Sequence, residues 1–526
     1  MKKRIAPLSG KEWLRYKPYQ RVTRYDQFYI KLAQEIIPYF APIHQYAQSF
    51  AWNREQDYDL AVVLASYFED VVNEIGIWEE TVRLGLEKTG QTFPLFDATG
   101  YELGGLNWQD VALLAWSYLS NYSPKLIAPD LPYLEPMSKG ICDIFQAELE
   151  SAPLTDFYEE YLVIEDESSL EELRTKLSWL CLESWLFAPD LFTRFTEELL
   201  PTNEEETYDE DTSKRQYFQL LAIYTFHIPS VWWGMMPREV LARLLDATDE
   251  YLEVLSDPRA FDCIQWAFLL REEHEHYYSF VDTHNDRPFR LIKPKHEPAD
   301  DYPDPSPGEV GVFQGIKWQG DWHMIGQLSF TPERTILERL DQNDRPFCLY
   351  TAEERKFIDD TVEGMQEVFV AMFGQHYAVF SSQQEARSIL TDYLAKLPNA
   401  GEEREGAPAL SAPPISSSQI DDKGRVGVAF IPGEGISFWP HLPSILEDLS
   451  KIEELAPAAI GALFSKLYTG GIPPVVFEEL AQEGALSEVP FPIQASSVQP
   501  FLHHQFLRRF FNPMDFAVTS PNINTV

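Results

Sequence analysis

The first half of the chain carries apolar residues every three to four positions, the spacing that places them on one face of an α-helix. Three stretches show this pattern most clearly, at residues 25–36, 57–75 and 108–119. In the second stretch the inner stripe consists of Leu60, Val63, Leu64, Tyr67, Phe68, Val71 and Val72. The pattern predicts a mainly helical N-terminal region. The third helix is apolar nearly all round, so it is predicted to lie at the centre.

The period of the pattern changes to two within residues 310–330, which indicates strands rather than helices. Gln319-Gly320-Asp321 supplies a turn, because glycine takes the positive φ that tight turns require. The segment is therefore predicted to form a β-hairpin, with Trp318 and Trp322 flanking the turn and stacking across the strands. A second hairpin is predicted at 425–438, and helices follow it.

These patterns predict an α+β fold: a mainly helical N-terminal domain followed by a mixed part of short antiparallel hairpins and helices. A chain of 526 residues is too long for a single hydrophobic core. One stretch rich in proline, serine and glycine has the low complexity of a linker. The predicted segments are a helical domain, an α+β domain, a linker, and a hairpin with C-terminal helices, at residues 1–270, 271–398, 399–422 and 423–526.

Charge narrows the class of partner. The chain has 42 lysine and arginine residues against 83 aspartate and glutamate residues, a net charge of −41. Such a surface repels nucleic acid phosphates and anionic membranes, so direct nucleic-acid binding is not expected. The N-terminal end differs, because residues 1–31 hold nine lysines and arginines against Glu12 and Asp26. The partner is therefore expected to be another protein.

The four cysteines are scattered and show no CxxC spacing. This distribution indicates reduced thiols in a cytoplasmic protein rather than disulfides or a zinc site. No stretch of about 18 consecutive apolar residues is present, so no membrane span is predicted. Phosphate-loop, nucleophile-elbow, zinc-protease and kinase signatures are also missing from the sequence, and no cofactor is predicted.

Two pairs of tryptophans are candidates for a ligand or partner surface. Trp232 and Trp233 lie in the apolar stretch HIPSVWWGMM, and Trp318 and Trp322 lie in the first hairpin. Large aromatic side chains are mostly buried, so a role in the core is favoured for both pairs. The alternative is an exposed aromatic platform.

Four arginines are further candidates. Arg287 and Arg345 occur in two copies of the pentapeptide NDRPF, which predicts either a repeated turn and strand or two cations for an anionic ligand. Arg508 and Arg509 lie on the last predicted helix, in LHHQFLRRFF. That helix is predicted to be either an amphipathic core helix or a small basic docking patch.

One segment could hold a metal ion. His274 and His276 lie two residues apart, and His284 follows. On a strand the first two would share a face, whereas on a helix they would diverge. The apolar positions Phe261, Ile264 and Phe268 predict a helix that runs into this segment, so an exposed, charged helix end is favoured over a metal site.

Five stretches together resemble an uncharacterised family of bacterial proteins, common in Bacteroidetes and known only as a domain of unknown function. They are KEWLRYKPYQRVTRYDQFYIKLAQEI, TFPLFDATGYELGGLNWQDVALLAWSYL, GDWHMIGQL, GRVGVAFIPGEGI and HQFLRRFF, in the order of the family. The segments 199–213 and 399–422 are not covered. The resemblance implies an intracellular bacterial protein and implies no activity or site residues.

The sequence thus favours a non-enzymatic protein-interaction or adaptor protein. One alternative is a metal-dependent hydrolase that uses the segment around His274 and His276. Another is an acidic protein that mimics nucleic acid and occupies a basic partner.

Overall fold

The structure is a computed structural model, described in separate stretches of the chain. The described residues are 8–46, 52–89, 100–122, 133–166, 169–199, 217, 220–221, 223–230, 232–256, 263–282, 286–293, 305–324, 328–332, 352–397, 415–416, 419–433, 435–468 and 472–486.

The N-terminal part of the described chain is helical. Its helices are α1 (Gly10–Leu14), α2 (Arg24–Ile36), α3 (Ala41–Tyr46), α4 (Arg54–Val72), α5 (Ile77–Thr89), α6 (Trp108–Tyr122), α7 (Leu134–Glu148), α8 (Phe157–Tyr161), α9 (Leu170–Leu182), α10 (Ala188–Leu199), α11 (Pro237–Leu244) and α12 (Asp249–Ser256).

Helices α4 and α6 lie at the centre of this part. In α6 every residue from Gln109 to Leu119 is buried, which confirms the prediction of a central helix at this position. Helix α4 is buried from Asp57 to Asp70 except at Tyr58. The helix therefore carries four carboxylates into the interior among its apolar residues: Asp57, Asp59, Glu69 and Asp70. Buried charges require partners, and these partners shape the site described below.

The first sheet contains β1 (Cys263–Glu273), β2 (Tyr277–Asp282), β3 (Arg287–Ile292), β4 (Val310–Trp318), β5 (Asp321–Met324) and β6 (Ser329–Thr331). Its strand order is β1-β2-β3-β5-β4-β6, and β1 also pairs with β4, so five of the strands close into a ring. Its core is aromatic and aliphatic, with Phe268, Phe280 and Phe313 in contact. Closure leaves β1 without an open edge.

The helix predicted through Phe268 is wrong, because this segment forms strand β1. Ile264, Trp266, Phe268 and Leu270 alternate along β1, and this period of two prevails over the three-residue spacing that suggested a helix. Phe268 and Leu270 are 2% and 1% exposed, so this face of the strand is buried in the sheet core.

The predicted hairpin is confirmed, since β4 and β5 are antiparallel and joined at Gln319-Gly320, both with positive φ. The predicted stacking of its tryptophans is wrong. Trp318 pairs with Asp321 and Lys317 pairs with Trp322, so alternation directs the two indoles to opposite faces. Trp322 belongs to the sheet core, whereas Trp318 packs edge-on against Tyr251 of α12 with 5.4 Å between the ring centroids.

The second sheet contains β7 (Tyr377–Phe380), β8 (Val426–Ile431) and β9 (Gly435–Phe438), all antiparallel. The hairpin predicted at 425–438 is thus confirmed. Helices α13 (Ala352–Phe373) and α14 (Gln383–Leu394) share a core with this sheet. The remaining helices are α15 (Leu442–Ser450), α16 (Pro457–Tyr468) and α17 (Pro474–Gln482).

The fold class is confirmed as α+β, with helices first and, after them, a mixed sheet in which β3 and β5 are parallel, short antiparallel hairpins and further helices. The contact between Tyr251 and Trp318 joins the two parts through buried rings. The division at residues 270, 398 and 422 stays a prediction.

Candidate functional site: an aromatic cleft

Trp232 and Trp233 lie in the hydrophobic core. Trp232 is 5% exposed, packs edge-on against Trp116 with 5.3 Å between centroids, and donates its indole N–H to Asn121. Trp233 is 2% exposed and donates to the carbonyl of Leu186 at 3.2 Å. Trp318 and Trp322 are 2% and 4% exposed. All four rings therefore take the core role that the sequence had favoured over a platform.

His274 and His276 lie at the turn between β1 and β2 rather than at a helix end. His274 stacks on Tyr277 with 4.3 Å between centroids, and its ring lies 3.4 Å from the carboxylate of Glu272. The side chain of His276 is 82% exposed. Among the described residues, no group of three or more histidine, cysteine, aspartate and glutamate side chains could hold a metal ion. His284 lies outside the described residues.

Arg287 begins strand β3, where it is exposed and pairs with Asp282 in the register of β2 and β3. Arg345, Arg508 and Arg509 lie outside the described residues. The two copies of NDRPF are thus described only at the first copy, from Asp286 onward.

The described residues form a cleft of about 490 Å³ in the N-terminal helical part. We call it the aromatic cleft. Half of its lining is aromatic, formed by Tyr19, Tyr25, Phe157 and Tyr158, and the other half is polar, formed by Gln20, Arg21, Thr23 and Thr155. One wall is the loop between α1 and α2 together with the start of α2. The other wall is the start of α8 with the residues just before it.

Asp26 fixes the first wall. It is fully buried and accepts hydrogen bonds from the indole of Trp13 at 2.7 Å and from the hydroxyl of Tyr19 at 2.6 Å. Its other oxygen accepts from the backbone and side chain of Thr23, so the pair forms a capping box at the start of α2. One carboxylate therefore sets both the helix start and the position of the Tyr19 ring.

Glu69 fixes Tyr25. The hydroxyl of Tyr25 donates to Glu69 at 2.9 Å, and Lys17 forms an ion pair with the same carboxylate. Lys17 and Glu69 are each 1% exposed at the side chain, and the ammonium lies 3.9 Å from the centroid of the Trp13 ring. The cation neutralises a charge that would be costly to bury alone.

Asn73 ties the two walls together. Its amide donates to the hydroxyls of Tyr25 and Tyr29 at 2.9 and 3.1 Å, and its oxygen accepts from the backbone N–H of Thr155 at 2.9 Å. The hydroxyl of Tyr29 donates in turn to the carbonyl of Pro153 at 3.0 Å. These partly buried hydrogen bonds hold the two walls of the cleft in one arrangement.

Burial also sets the ionisation of this network. It raises the pKa of Glu69, and the Lys17 ammonium opposes that rise. Burial raises the pKa of Asp70 to about 7, although the backbone N–H groups of Ile77 and Trp78 donate to its carboxylate at 3.0 and 2.9 Å. Burial and the nearby charge of Glu69 raise the pKa of Tyr19 and Tyr25, which keeps both phenols protonated.

Two polar groups of the cleft have no partner in the part of the chain that the structure describes. Tyr158 is 5% exposed, and its hydroxyl makes no hydrogen bond to a described residue. Arg21 is exposed at the rim and makes no ion pair with a described residue. A bound molecule could therefore meet the hydroxyl of Tyr158 and the Arg21 cation in addition to aromatic rings.

A second depression of about 410 Å³ adjoins the cleft along α9. Pro18 and Tyr161 line it, next in the chain to Tyr19 and one helical turn from Phe157. The rings of Phe157 and Tyr161 are stacked, with 5.7 Å between centroids and 14° between planes. The pair forms a continuous aromatic ridge between the two concave surfaces, which together suit an extended guest.

The sequence reasoning missed this site. Its signal was present in KEWLRYKPYQRVTRYDQ, where three tyrosines and a tryptophan alternate with cations in a stretch too polar for an ordinary core. The partners Glu69, Asn73 and Thr155 lie 44 to 82 residues further along the chain from the groups they bind. Local patterning does not report such pairs.

No helix within the described stretches is both long and apolar enough to pass through a bilayer. Cys142 and Cys181, the two cysteines whose side chains are described, are unbridged; burial raises the pKa of both thiols. Raised thiol pKa values argue against a nucleophilic role for either residue.

Comparison with known proteins adds one match. The model of a family described as "Protein of unknown function (DUF3843)" matches residues 7–253. No curated protein and no solved structure matches the chain significantly. The first two stretches of the resemblance noted above lie inside the match, and the three later ones lie outside it. A domain of unknown function thus spans most of the N-terminal region, and it includes every residue of the aromatic cleft.

Proposed function

We propose that this chain is a non-enzymatic protein-interaction or adaptor protein, and that the aromatic cleft binds a segment of its partner. The observation that carries the proposal is a preformed concave surface in which four of eight lining residues are aromatic. Aromatic side chains concentrate binding energy at interfaces, because they bury a large area at a small entropic cost.

The surroundings of the cleft support a guest that is longer than a small molecule. Leu154 is 73% exposed directly beside Thr155, and the second depression continues the surface along α9. Leu154 thus adds an exposed apolar side chain next in the chain to the lining of the aromatic cleft. The polar network beneath it holds the shape in advance, which lowers the ordering cost of binding.

Photo-crosslinking in the native cell tests this proposal. A photoreactive amino acid at Gln20, an exposed residue of the cleft, is expected to give a discrete adduct with a partner protein. Phe157→Ala is expected to reduce that adduct severalfold, because Phe157 packs edge-on against Tyr19 at 4.9 Å and stacks on Tyr161. The matched control is Phe357→Ala, the same change at a ring that is 55% exposed on α13.

The control should leave the adduct unchanged, and thermal unfolding should show that both variants are folded. An adduct that Phe157→Ala and Phe357→Ala affect equally would contradict the proposal. So would the failure of Gln20 to give more adduct than a photoreactive residue at Lys356, which is exposed on α13.

We also propose that the protein is bacterial and cytoplasmic. The two unbridged cysteines support a reducing compartment. Fractionation of the native cell tests this point: the chain should appear with soluble cytoplasmic enzymes, and its appearance in an extracellular or membrane fraction would contradict it.

A further inference from the structure

We infer that the guest of the aromatic cleft is cationic, a lysine or arginine side chain from a basic segment of the partner protein. This inference rests on the proposed function and specifies the chemistry of the guest. It follows from the rings, the orientation of the phenols, and the charge behind and beside them.

The rings supply the first argument. Tyr19 and Phe157 meet edge-on at 4.9 Å, and Phe157 and Tyr158 meet edge-on at 5.4 Å. Tyr25 lines the same cleft. The faces of an aromatic ring carry the negative part of its quadrupole, and four of the eight residues that line the cleft are aromatic. Clusters of such faces bind ammonium and guanidinium groups.

The phenols supply the second argument. Tyr19 and Tyr25 both donate their protons inward, to Asp26 and Glu69. The Tyr25 oxygen also accepts from the Asn73 amide at 2.9 Å, whereas the Tyr19 oxygen keeps a lone pair that can accept a hydrogen bond from a guest. Tyr158, a residue that is 5% exposed, adds a hydroxyl that has no partner among the described residues. Lysine and arginine carry three and five N–H donors and no acceptor, so they match these oxygens.

Charge supplies the third argument. Two buried carboxylates, Asp26 and Glu69, lie behind the phenols, and the one cation that bonds to either of them in the described residues is Lys17. The sequence from residue 156 to residue 183, which begins at the wall formed by α8, has nine acidic residues and two basic ones. The chain as a whole has a net charge of −41, which steers cationic partners toward it.

Arg21 is the one lining residue with a positive charge. Because Arg21 lies at the rim, changing its charge shows whether the guest is positively or negatively charged. If the guest is cationic, Arg21 repels it, and Arg21→Glu should strengthen binding. If the guest is anionic, Arg21 attracts it, and the same change should weaken binding.

The test uses two peptides that carry the same neutral fluorescent dye. One alternates lysine and arginine with glycine over nine residues, and its twin has glutamate in place of every cation. Binding to the full chain is followed by fluorescence polarisation. We expect the basic peptide to bind and its acidic twin not to bind. Phe157→Ala should raise the dissociation constant of the basic peptide about fivefold, and Phe357→Ala should leave it unchanged.

Arg21→Glu should lower the dissociation constant of the basic peptide by about threefold to tenfold, as expected when a repulsive surface charge becomes attractive. The control is Lys356→Glu, which makes the same change in net charge at an exposed residue of α13. An equal effect of the two changes would show that attraction is not local to the cleft and would overturn the inference. Preference for the acidic twin, or weaker binding in Arg21→Glu, would overturn it as well.

The outcomes separate the inference from the proposal beneath it. If the adduct at Gln20 depends on Phe157 while the basic peptide is not preferred, the cleft binds a partner of another chemistry, and only the inference falls. If neither the adduct nor peptide binding depends on Phe157, both fall.

Discussion

At the scale of single residues, the buried charges beneath the cleft decide how the tyrosines are held. Lys17 and Glu69 neutralise each other within the interior, and Asp26 satisfies four donors with one carboxylate. Removing one member of a buried pair costs more than removing both, because a lone charge remains buried.

Lys17→Met should therefore lower the free energy of unfolding by about 3–5 kcal/mol at neutral pH. The double variant Lys17→Met with Glu69→Gln should recover at least about 1 kcal/mol of this loss, since glutamine is neutral and still accepts from Tyr25. Urea unfolding of the three proteins measures both values. Equal stability of the single and double variants would show that Glu69 is not held as a buried carboxylate.

Asp70 gives the fold a dependence on pH. Its pKa is about 7 in the folded chain and 3.8 as the reference value, because burial disfavours the carboxylate. The folded chain therefore binds the extra proton between these two values. The contribution of Asp70 to stability is complete below about pH 4 and is lost as the pH rises through 7.

The measurement compares the wild type with Asp70→Asn in urea from pH 4 to pH 8. The free energy of unfolding of the wild type minus that of the variant should fall as the pH rises, by at most about 1.4 kcal/mol per unit. The remaining carboxylates are common to both proteins and largely cancel. A difference that does not change with pH would mean that Asp70 titrates as it does in the unfolded chain.

The contacts of single buried residues are the part of the structure that the sequence predicted least well. The helix predicted at 25–36 contains Asp26, which lies in the first turn of α2, but the sequence did not indicate that Trp13 and Tyr19 donate to that carboxylate. The chain has 83 acidic residues, and nothing local distinguishes the few that are buried. Their partners are chosen by packing between helices.

At the scale of elements, periodicity predicted the type and the place of the long helices α4 and α6, although both are buried on nearly all sides. The helix predicted at 57–75 is observed at Arg54–Val72, and the helix predicted at 108–119 is observed at Trp108–Tyr122. The helix predicted in place of strand β1 is wrong. The apolar residues of this segment fit both a helical period and the strand period of two, and both edges of β1 are paired in the sheet. The predicted stacking of Trp318 on Trp322 is wrong because a shift of one position along a strand reverses the face on which a side chain lies.

The closed sheet makes a specific prediction at Gly311 of β4. A Cβ atom there would lie 2.4 Å from the ring of Phe280, which is fully buried and cannot move aside. Gly311→Ala should lower the free energy of unfolding by about 1–3 kcal/mol. The matched control is Gly364→Ala on α13, where a Cβ meets nothing within 4 Å. The control should raise stability by up to about 1 kcal/mol, since alanine favours the helix.

Urea unfolding of the two glycine variants, followed by near-ultraviolet circular dichroism, gives the comparison. Loss of stability at Gly364 with none at Gly311 would contradict the packing described for the first sheet.

At the scale of the whole molecule, an acidic chain presents one preformed aromatic cleft within the N-terminal part, among the residues that the structure describes. The fold class followed from composition and period alone, because helices and hairpins differ in both. The cleft did not, because it is built from a loop, a helix start and a distant short helix, α8, that share no local signal. Its function as a binding surface is the central claim.

The most direct test of this claim is amide hydrogen exchange. It is measured on the chain alone and on the chain mixed with the partner protein that photo-crosslinking at Gln20 identifies. Binding in the cleft predicts slower exchange at residues 19–25 and 155–158, and no such change in the Phe157→Ala variant. Slower exchange confined to other parts of the chain, with these two segments unaffected, would contradict it.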